Sequence, residues 1–250
     1  MGQKNTARAM TAAVAVLLAL TGCGTAPHRA PNASGATSYE ASLSTPGSPT
    51  ATVPVEDAKA LQPAVQVLPG LSTPEAARIQ LTTLNVAPQK PMTGYTRTKF
   101  THWTGHGESC DTREIVLQRT GADVQRDAEC RAVAGTWTSP YDGVVVTDAA
   151  ELDIDHVVPL ANAWRSGADV WTAARRKDFA NDLDRPQLLP VSAATNRGKG
   201  DQGPEDWQPP ARVYWCTYAT AWTNVKAHYR LSVTEAEKNK LEQMLGTCTT

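Results

Sequence analysis

Apolar positions follow a helical spacing at both ends of the folded part of the chain. Thr73 suits a helix N-cap and Pro74 the first helical position, and the apolar residues after them predict a short helix that ends before Pro88. A final helix is predicted after the capping sequence Ser232 to Glu235. Ahead of it, aromatic and apolar residues recur at helical spacing at Trp215, Tyr218, Ala219, Trp222, Val225 and Tyr229. That spacing favours a buried helix face over a surface for stacking bases.

Between these helices the pattern changes to short β-rich runs. Cys130 to Trp137 and Val144 to Thr147 flank the turn sequence Pro140 to Gly143, which predicts an antiparallel meander. Leu152 to Val158 is predicted as a further strand, which Pro159 ends. A helix capped by Asp169 is predicted to follow it.

A second strand and a short helix are predicted further along the chain from the strand at Leu152. Leu188 to Val191 predicts another strand, and Ser192 caps a brief helix that stops at Gly198 and Gly200. Strand, excursion, strand and helix form a ββα unit. The predicted fold class is therefore α+β, with a small antiparallel meander, a ββα unit and packed flanking helices.

Composition narrows the class of protein. A chain of 250 residues with 41% hydrophobic content supplies one sizeable core, which excludes a collagen or a wholly disordered protein. Lys and Arg number 24 against 25 Asp and Glu, so no overall basic field marks a nucleic-acid or membrane binder. Any such binding has to be local.

The N-terminal stretch has the layout of an export signal. Lys4 and Arg8 precede an apolar run from Met10 to Leu20 that is too short to span a bilayer. The sequence from Leu20 to Cys23 resembles the lipobox of bacterial lipoproteins. We therefore expect a lipoprotein signal peptide at residues 1–22, a lipid on Cys23, and a location on the outer face of the bacterial cytoplasmic membrane. A secreted protein that is cut elsewhere is the alternative.

A flexible tether is predicted between the lipid and the folded domain. Residues 23–72 are rich in Ala, Pro, Ser and Thr, and such a composition buries too little apolar surface to order itself. Residues 73–250 are predicted to be the folded domain. Nothing in the sequence indicates a protein partner.

Four cysteines remain in the predicted domain, and an exported chain favours disulfides among them. Of the three possible pairings, we favour Cys110 with Cys130 and Cys216 with Cys248, because each closes a moderate loop within one block of sequence. A four-cysteine zinc site is the competing interpretation. The spacings do not favour it, since none is the short interval that zinc knuckles use.

Two segments carry the side chains for chemistry. Asp153 to Leu160 places a carboxylate directly before His156 at the end of an apolar strand. Asn196 to Asp201 places an amide and two cations on one helical turn. The ββα order of the two segments would let Asp155 and Asn196 converge on one divalent cation beside His156.

These segments resemble the HNH, or His-Me finger, endonucleases, and among them the C-terminal domain of GmrSD-type restriction enzymes and related exported bacterial proteins. The matching sequences are DxDHVxPL at Asp153 and NRGKGD at Asn196. Further similarity is found at Tyr95 to Trp103, at CDTRE from Cys110, at SPYDG from Ser139, and in the tryptophan block from Trp207 to Trp222. The resemblance extends from about Gly94 to Cys248.

The resemblance implies a role for each residue of the unit. His156 would be the general base that activates water. Asp155 and Asn196 would hold one Mg²⁺ or Mn²⁺ ion, which prefers oxygen ligands. Lys199 would bind a phosphate oxygen, with Arg197 as the weaker candidate.

Two further residues of the unit, Gln187 and Asp153, are candidates for supporting roles. Gln187 stands where the family often has the Asn that orients the histidine. Asp153 would support the metal ligands from behind, and a turn or surface role is its alternative.

The sequence thus predicts an exported, metal-dependent endonuclease that hydrolyses phosphodiester bonds in DNA. A catalytically silent lipoprotein that binds nucleic acid or envelope components is the first alternative. A phosphodiesterase that acts on RNA is the second, because nothing in the sequence reports contact with a 2′-hydroxyl.

Overall fold

The computed structural model describes residues 68–249. The predicted signal peptide at 1–22, the lipid-bearing Cys23 and the tether up to residue 67 lie outside the described residues. Leu68 is 2% exposed and belongs to the main core, so the folded domain includes residues ahead of the predicted start at 73. Within residues 68–249, no helix has both the length and the apolar character needed to cross a membrane.

The described chain forms short helices and two small sheets. The helices are α1 (Pro74–Thr83), α2 (Thr112–Thr120), α3 (Leu160–Arg165), α4 (Ala173–Ala180), α5 (Ala193–Lys199), α6 (Trp215–Tyr229) and α7 (Glu235–Leu245). The strands are β1 (Ala122–Arg126), β2 (Ala132–Thr138), β3 (Val145–Val146), β4 (Leu152–His156) and β5 (Leu188–Ser192). This mixture of helices and antiparallel strands confirms the predicted α+β class.

Both sheets are antiparallel. Strands β1, β2 and β3 form one sheet in that order, which confirms the predicted meander and adds β1 to it. The polar sequence of β1 is mostly exposed, so no apolar alternation marked it as a strand. Strands β4 and β5 pair with His156 opposite Leu188, and α5 follows β5 directly.

Two hydrophobic cores meet at the β4–β5 strand pair. Leu189 and Val191 of β5 pack into the main core, which contains the aromatic face of α6. Leu188 and Ile154 pack into a second core beneath α2 and β2, together with Trp137. Strand β5 is buried along its whole length, so packing on both of its sides fixes the position of the β4–β5 pair.

The disulfides are Cys110–Cys130 and Cys216–Cys248, which confirms the favoured pairing. The first ties the start of α2 to the segment before β2, and the second ties the start of α6 to the segment after α7. Closing loops of these lengths stabilises a fold by about 3 to 4 kcal/mol per bridge.

Two helix starts differ from the predictions. The helix predicted to start at Asp169 starts at Ala173, because Thr172 caps it and Asp169 lies in a separate 3₁₀ turn. The final helix is capped by Thr234, whose capping box partner is Glu237. Ser232, two residues earlier, instead offers its carbonyl to the ammonium of Lys226.

Candidate active site

The ββα unit brings the sequence-predicted residues to adjoining positions. Asp153 and Asp155 alternate along β4, and the side chains of α5 reach both of them. The amide nitrogen of Asn196 donates to Asp153 Oδ2 at 3.1 Å. The ammonium of Lys199 donates to both oxygens of Asp155, at 2.9 and 2.8 Å. Asp155 and Asn196 line the same pocket. Their side chains bind different partners, Lys199 for Asp155 and Asp153 for Asn196.

His156 is buried and held by one backbone carbonyl. Its Nε2 lies 2.9 Å from the carbonyl oxygen of Ala180. A carbonyl only accepts hydrogen bonds, so Nε2 carries the proton and Nδ1 of the neutral ring has a free lone pair. Nδ1 has no hydrogen-bond partner within residues 68–249. Burial, with a smaller contribution from the charge of Arg97, lowers the pKa of His156 to about 3, so the ring is neutral near pH 7.

An aromatic loop covers the imidazole. The ring of Trp103 stacks on that of His156 at 5.8 Å between centroids, with 20° between the planes. Trp103 has a φ of 60°, a left-handed conformation that costs a non-glycine residue on the order of 1 kcal/mol. Asn181 holds the next residue of the loop, because its Oδ1 accepts from the Thr104 backbone at 2.9 Å. The end of α4 thus positions both the histidine and its cover.

Asp155 and Lys199 form a buried ion pair. Asp155 is 4% exposed and Lys199 is completely buried. Tyr141 also donates to Asp155 Oδ2 at 2.6 Å, and the Lys199 ammonium donates to the backbone oxygen of His156 at 2.9 Å. Burial raises the pKa of Asp155 and lowers that of Lys199, and the attraction between them opposes both shifts. The pair fixes the backbone at His156.

The SPYDG turn connects the meander to this unit. Tyr141 binds Asp155, and the neighbouring Asp142 accepts hydrogen bonds from the hydroxyls of Ser192 and Thr195 at the start of α5. One turn therefore holds both the strand and the helix of the ββα unit. This explains in physical terms why the turn accompanies the two chemical segments in the sequence.

Three predicted residues lie where their expected roles do not fit. Gln187 pairs with the backbone of Val158 through its amide oxygen (3.1 Å) and nitrogen (2.9 Å), so it holds the turn after β4 while Ala180 orients the histidine. Lys199 is buried in its ion pair and has no ammonium hydrogen left for a phosphate, since three acceptors already take them. Arg197 is exposed and does not line the pocket.

The pocket beside His156 has a volume of about 260 Å³. His156 and Asn196 line it together with Tyr95, Arg97 and Asp201. The sequence identifies the segment from Tyr95 to Trp103 as similar to the family but does not single out Arg97. Its position within that similar segment is the sequence signal for Arg97.

Oxygen ligands for a hard cation are present at one place in the unit. The amide nitrogen of Asn196 donates to Asp153 Oδ2, which assigns the two amide atoms of Asn196. The other oxygens, Asn196 Oδ1 and Asp153 Oδ1, have no hydrogen-bond partner in the described part of the chain. Both oxygens of Asp155 are occupied. No cluster of three or more His, Cys, Asp or Glu suited to a metal occurs among residues 68–249. Asn196 Oδ1 and Asp153 Oδ1 are both of the kind that Mg²⁺ prefers, and of the two residues Asn196 lines the pocket beside His156.

Two antiparallel strands and a helix, with His156 ending the first strand and Asn196 on the helix, form the ββα unit that the sequence predicts. Residues 111–244 match the family described as GmrSD restriction endonucleases, C-terminal domain. The chain belongs to this family, which confirms the resemblance seen in the sequence.

A relative from Arthroderma benhamiae is similar to this chain over most of its own length. It is described as an uncharacterized secreted protein and is 53% identical over 180 residues, which cover 72% of this chain and 88% of the relative. No solved structure matches the chain.

Proposed function

We propose that the protein is an exported, metal-dependent endonuclease that hydrolyses phosphodiester bonds in DNA. One observation carries the proposal: a neutral histidine, with its tautomer fixed by Ala180, lines a pocket together with Asn196. The family supports the reaction class and the substrate, because its description is of restriction endonucleases.

His156 acts as the general base. Its free Nδ1 takes a proton from a water whose oxygen attacks the phosphorus. The new P–O bond forms as the P–O3′ bond breaks, and the departing 3′ oxygen takes a proton from solvent. Trp103 and the carbonyl of Ala180 hold the ring in place while it accepts the proton.

One Mg²⁺ or Mn²⁺ ion is the proposed cofactor, and it would neutralise charge on the phosphate and the leaving oxygen. Asn196 Oδ1 and Asp153 Oδ1 are the oxygens free to hold it. The ligand that the sequence resemblance implies, Asp155, becomes available only if the Lys199 ammonium leaves it.

Export is proposed from three observations. The N-terminal stretch has the layout of a signal peptide, the domain contains two disulfides, and the A. benhamiae relative is described as secreted. A lipid on Cys23 that attaches the chain to a membrane is the finer part of the proposal, and the sequence from Leu20 to Cys23 supports it. Mass spectrometry of the N-terminal peptide from the native host tests it: a diacylated Cys23 is expected, and an unmodified cysteine refutes the anchor.

Plasmid nicking tests the enzyme. The full-length, oxidised chain is expected to nick supercoiled DNA when Mg²⁺ or Mn²⁺ is present. Nicking is expected to cease when EDTA removes the metal. The variant Asn196→Ala is expected to lose nicking, whereas Arg197→Ala, its exposed neighbour, keeps it. A folded wild type that cleaves neither DNA nor matched RNA in any of these metals overturns the proposal and favours a silent binding protein. If the protein cleaves RNA and not DNA, RNA is the substrate in place of DNA.

A further inference from the structure

We infer that Arg97 binds the scissile phosphate in the pocket beside His156. The inference deepens the proposed function and rests on it. Arg97 lines the same pocket as His156 and Asn196. It is a substrate-binding residue that neither the family description nor the sequence motifs assign.

Two cations near the pocket are each paired with a carboxylate, whereas Arg97 is not. Lys199 is bound by Asp155, and Arg165 binds Asp201 at 2.6 Å on the rim of the pocket. Arg97 has no ion pair or side-chain hydrogen bond to any residue of the described chain. A guanidinium with all its donors free, beside a buried neutral base, suits a phosphate that arrives with the substrate.

The backbone that carries Arg97 is anchored on both sides. Arg97 starts a single 3₁₀ turn, Arg97–Lys99, and Phe100 directly after it is completely buried. Tyr95 before the turn packs edge-on against Trp164, with 5.8 Å between ring centroids. The Arg97 side chain is exposed, and the backbone that carries it is held beside the pocket. An anchored backbone keeps the guanidinium near the pocket, where it can contact a bound phosphate.

The charge of Arg97 acts at the site. After burial, which has the largest effect, the charge of Arg97 helps to lower the pKa of His156. Lys99, two residues further on, lies 5.0 Å above the Trp164 ring and does not line the pocket. The turn therefore offers two exposed cations of equal charge, of which only one reaches the site. This pair provides a matched control.

The experiment compares Arg97→Met, Arg97→Lys and Lys99→Met in the full-length chain. Cleavage of a short duplex is measured with Mg²⁺. Binding of the same duplex is measured in EDTA as a function of salt, in the His156→Ala background. Arg97→Met is expected to lower kcat/KM about 100-fold, mostly in kcat. It is also expected to reduce the slope of log K against log salt by about one.

Arg97→Lys keeps the charge but not the planar fork, so its cleavage is expected to fall between the wild type and Arg97→Met. Lys99→Met is expected to stay within about twofold of the wild type. If the wild type cleaves and Arg97→Met matches Lys99→Met in rate and salt slope, the inference about Arg97 fails and the nuclease stands. If the wild type neither cleaves nor binds the duplex, both fail.

Discussion

Two lysines among residues 68–249 are completely buried, and each is paired with a buried carboxylate. Lys226 of α6 lies among the helices, where it binds Glu237 at 3.0 Å together with the side chains of Asn162 and Ser166. Lys199 of α5 binds Asp155 beside the pocket and reaches the backbone of His156.

The two pairs have the same chemistry but different surroundings. A buried ion pair seldom adds net stability compared with apolar residues, yet it is costly to break, and it fixes geometry. The Lys226 pair fixes how three helices meet. The Lys199 pair fixes the strand end that carries the proposed base. The comparison therefore separates residues that hold the fold from residues that hold the site.

Breaking either pair is the largest expected effect. Lys226→Met and Lys199→Met each leave a carboxylate buried without its cation, so each should lower the free energy of unfolding by about 3 to 5 kcal/mol. Denaturant titration measures this. At equal folded fraction, Lys226→Met is expected to cleave DNA normally, whereas Lys199→Met loses cleavage because the His156 backbone loses its support.

Replacing both partners sharpens the contrast. Each double variant is expected to regain part of the lost stability, because Trp222 still loses its acceptor Glu237 and Tyr141 its acceptor Asp155. Lys226→Met with Glu237→Leu is expected to keep cleavage, and Lys199→Met with Asp155→Leu to lack it. Equal cleavage by the two double variants contradicts the assignment of the Lys199 pair to the site.

The two aspartates of β4 should differ in the same way. Asp153→Asn is expected to raise the metal concentration for half-maximal cleavage by about 10- to 100-fold with little change in stability. Asp155→Asn is expected to destabilise the fold by about 3 kcal/mol, because it leaves Lys199 unpaired. Metal titration and thermal unfolding in EDTA measure both. If the Asp155→Asn protein is as stable as the wild type and binds the metal more weakly, Asp155 is a metal ligand and its assignment to the ion pair alone is wrong.

The stability of the metal-free protein should depend on His156 in mild acid. Its pKa is lowered to about 3 in the fold, against about 6.5 in an unfolded chain, so only the unfolded state takes up the proton between these values. Stability therefore falls as pH falls, by about 2 kcal/mol between pH 7.5 and 5. Urea unfolding in EDTA should show this loss in the wild type and not in His156→Gln. Parallel pH curves for the two proteins refute the buried neutral histidine.

The smallest expected effect concerns the hydroxyl of Tyr141. Tyr141→Phe removes one of the three hydrogen bonds to Asp155 and leaves the ion pair intact. A hydrogen bond to a charged group contributes about 1.5 to 3 kcal/mol, so a loss near the lower end is expected in chemical unfolding. A loss as large as that of Lys199→Met indicates that Tyr141, and not the lysine, holds the aspartate.

The sequence was sufficient for the parts of the fold that local patterns determine. Capping residues and apolar spacing predicted α1, α6 and the β4–β5 pair, and loop length favoured the disulfides. Strand β1 was missed because its residues are polar and its pairing with β2 comes from the tertiary fold.

The site was predictable in its residues and not in their contacts. The motifs identified His156, Asp155, Asn196 and Lys199, but the partner of each depends on how α5 packs on β4. The carbonyl that orients His156 comes from α4, and no sequence pattern connects Ala180 to it. Arg97 reaches the pocket from a turn far away in the chain.

The most direct test of the account is single-turnover cleavage of duplex DNA by His156→Ala beside the wild type, with Mg²⁺ and with EDTA. The wild type is expected to cleave only when the metal is present, and the variant to cleave at least about 100-fold more slowly with an unchanged circular dichroism spectrum. A folded His156→Ala protein that cleaves within a few-fold of the wild type would contradict it.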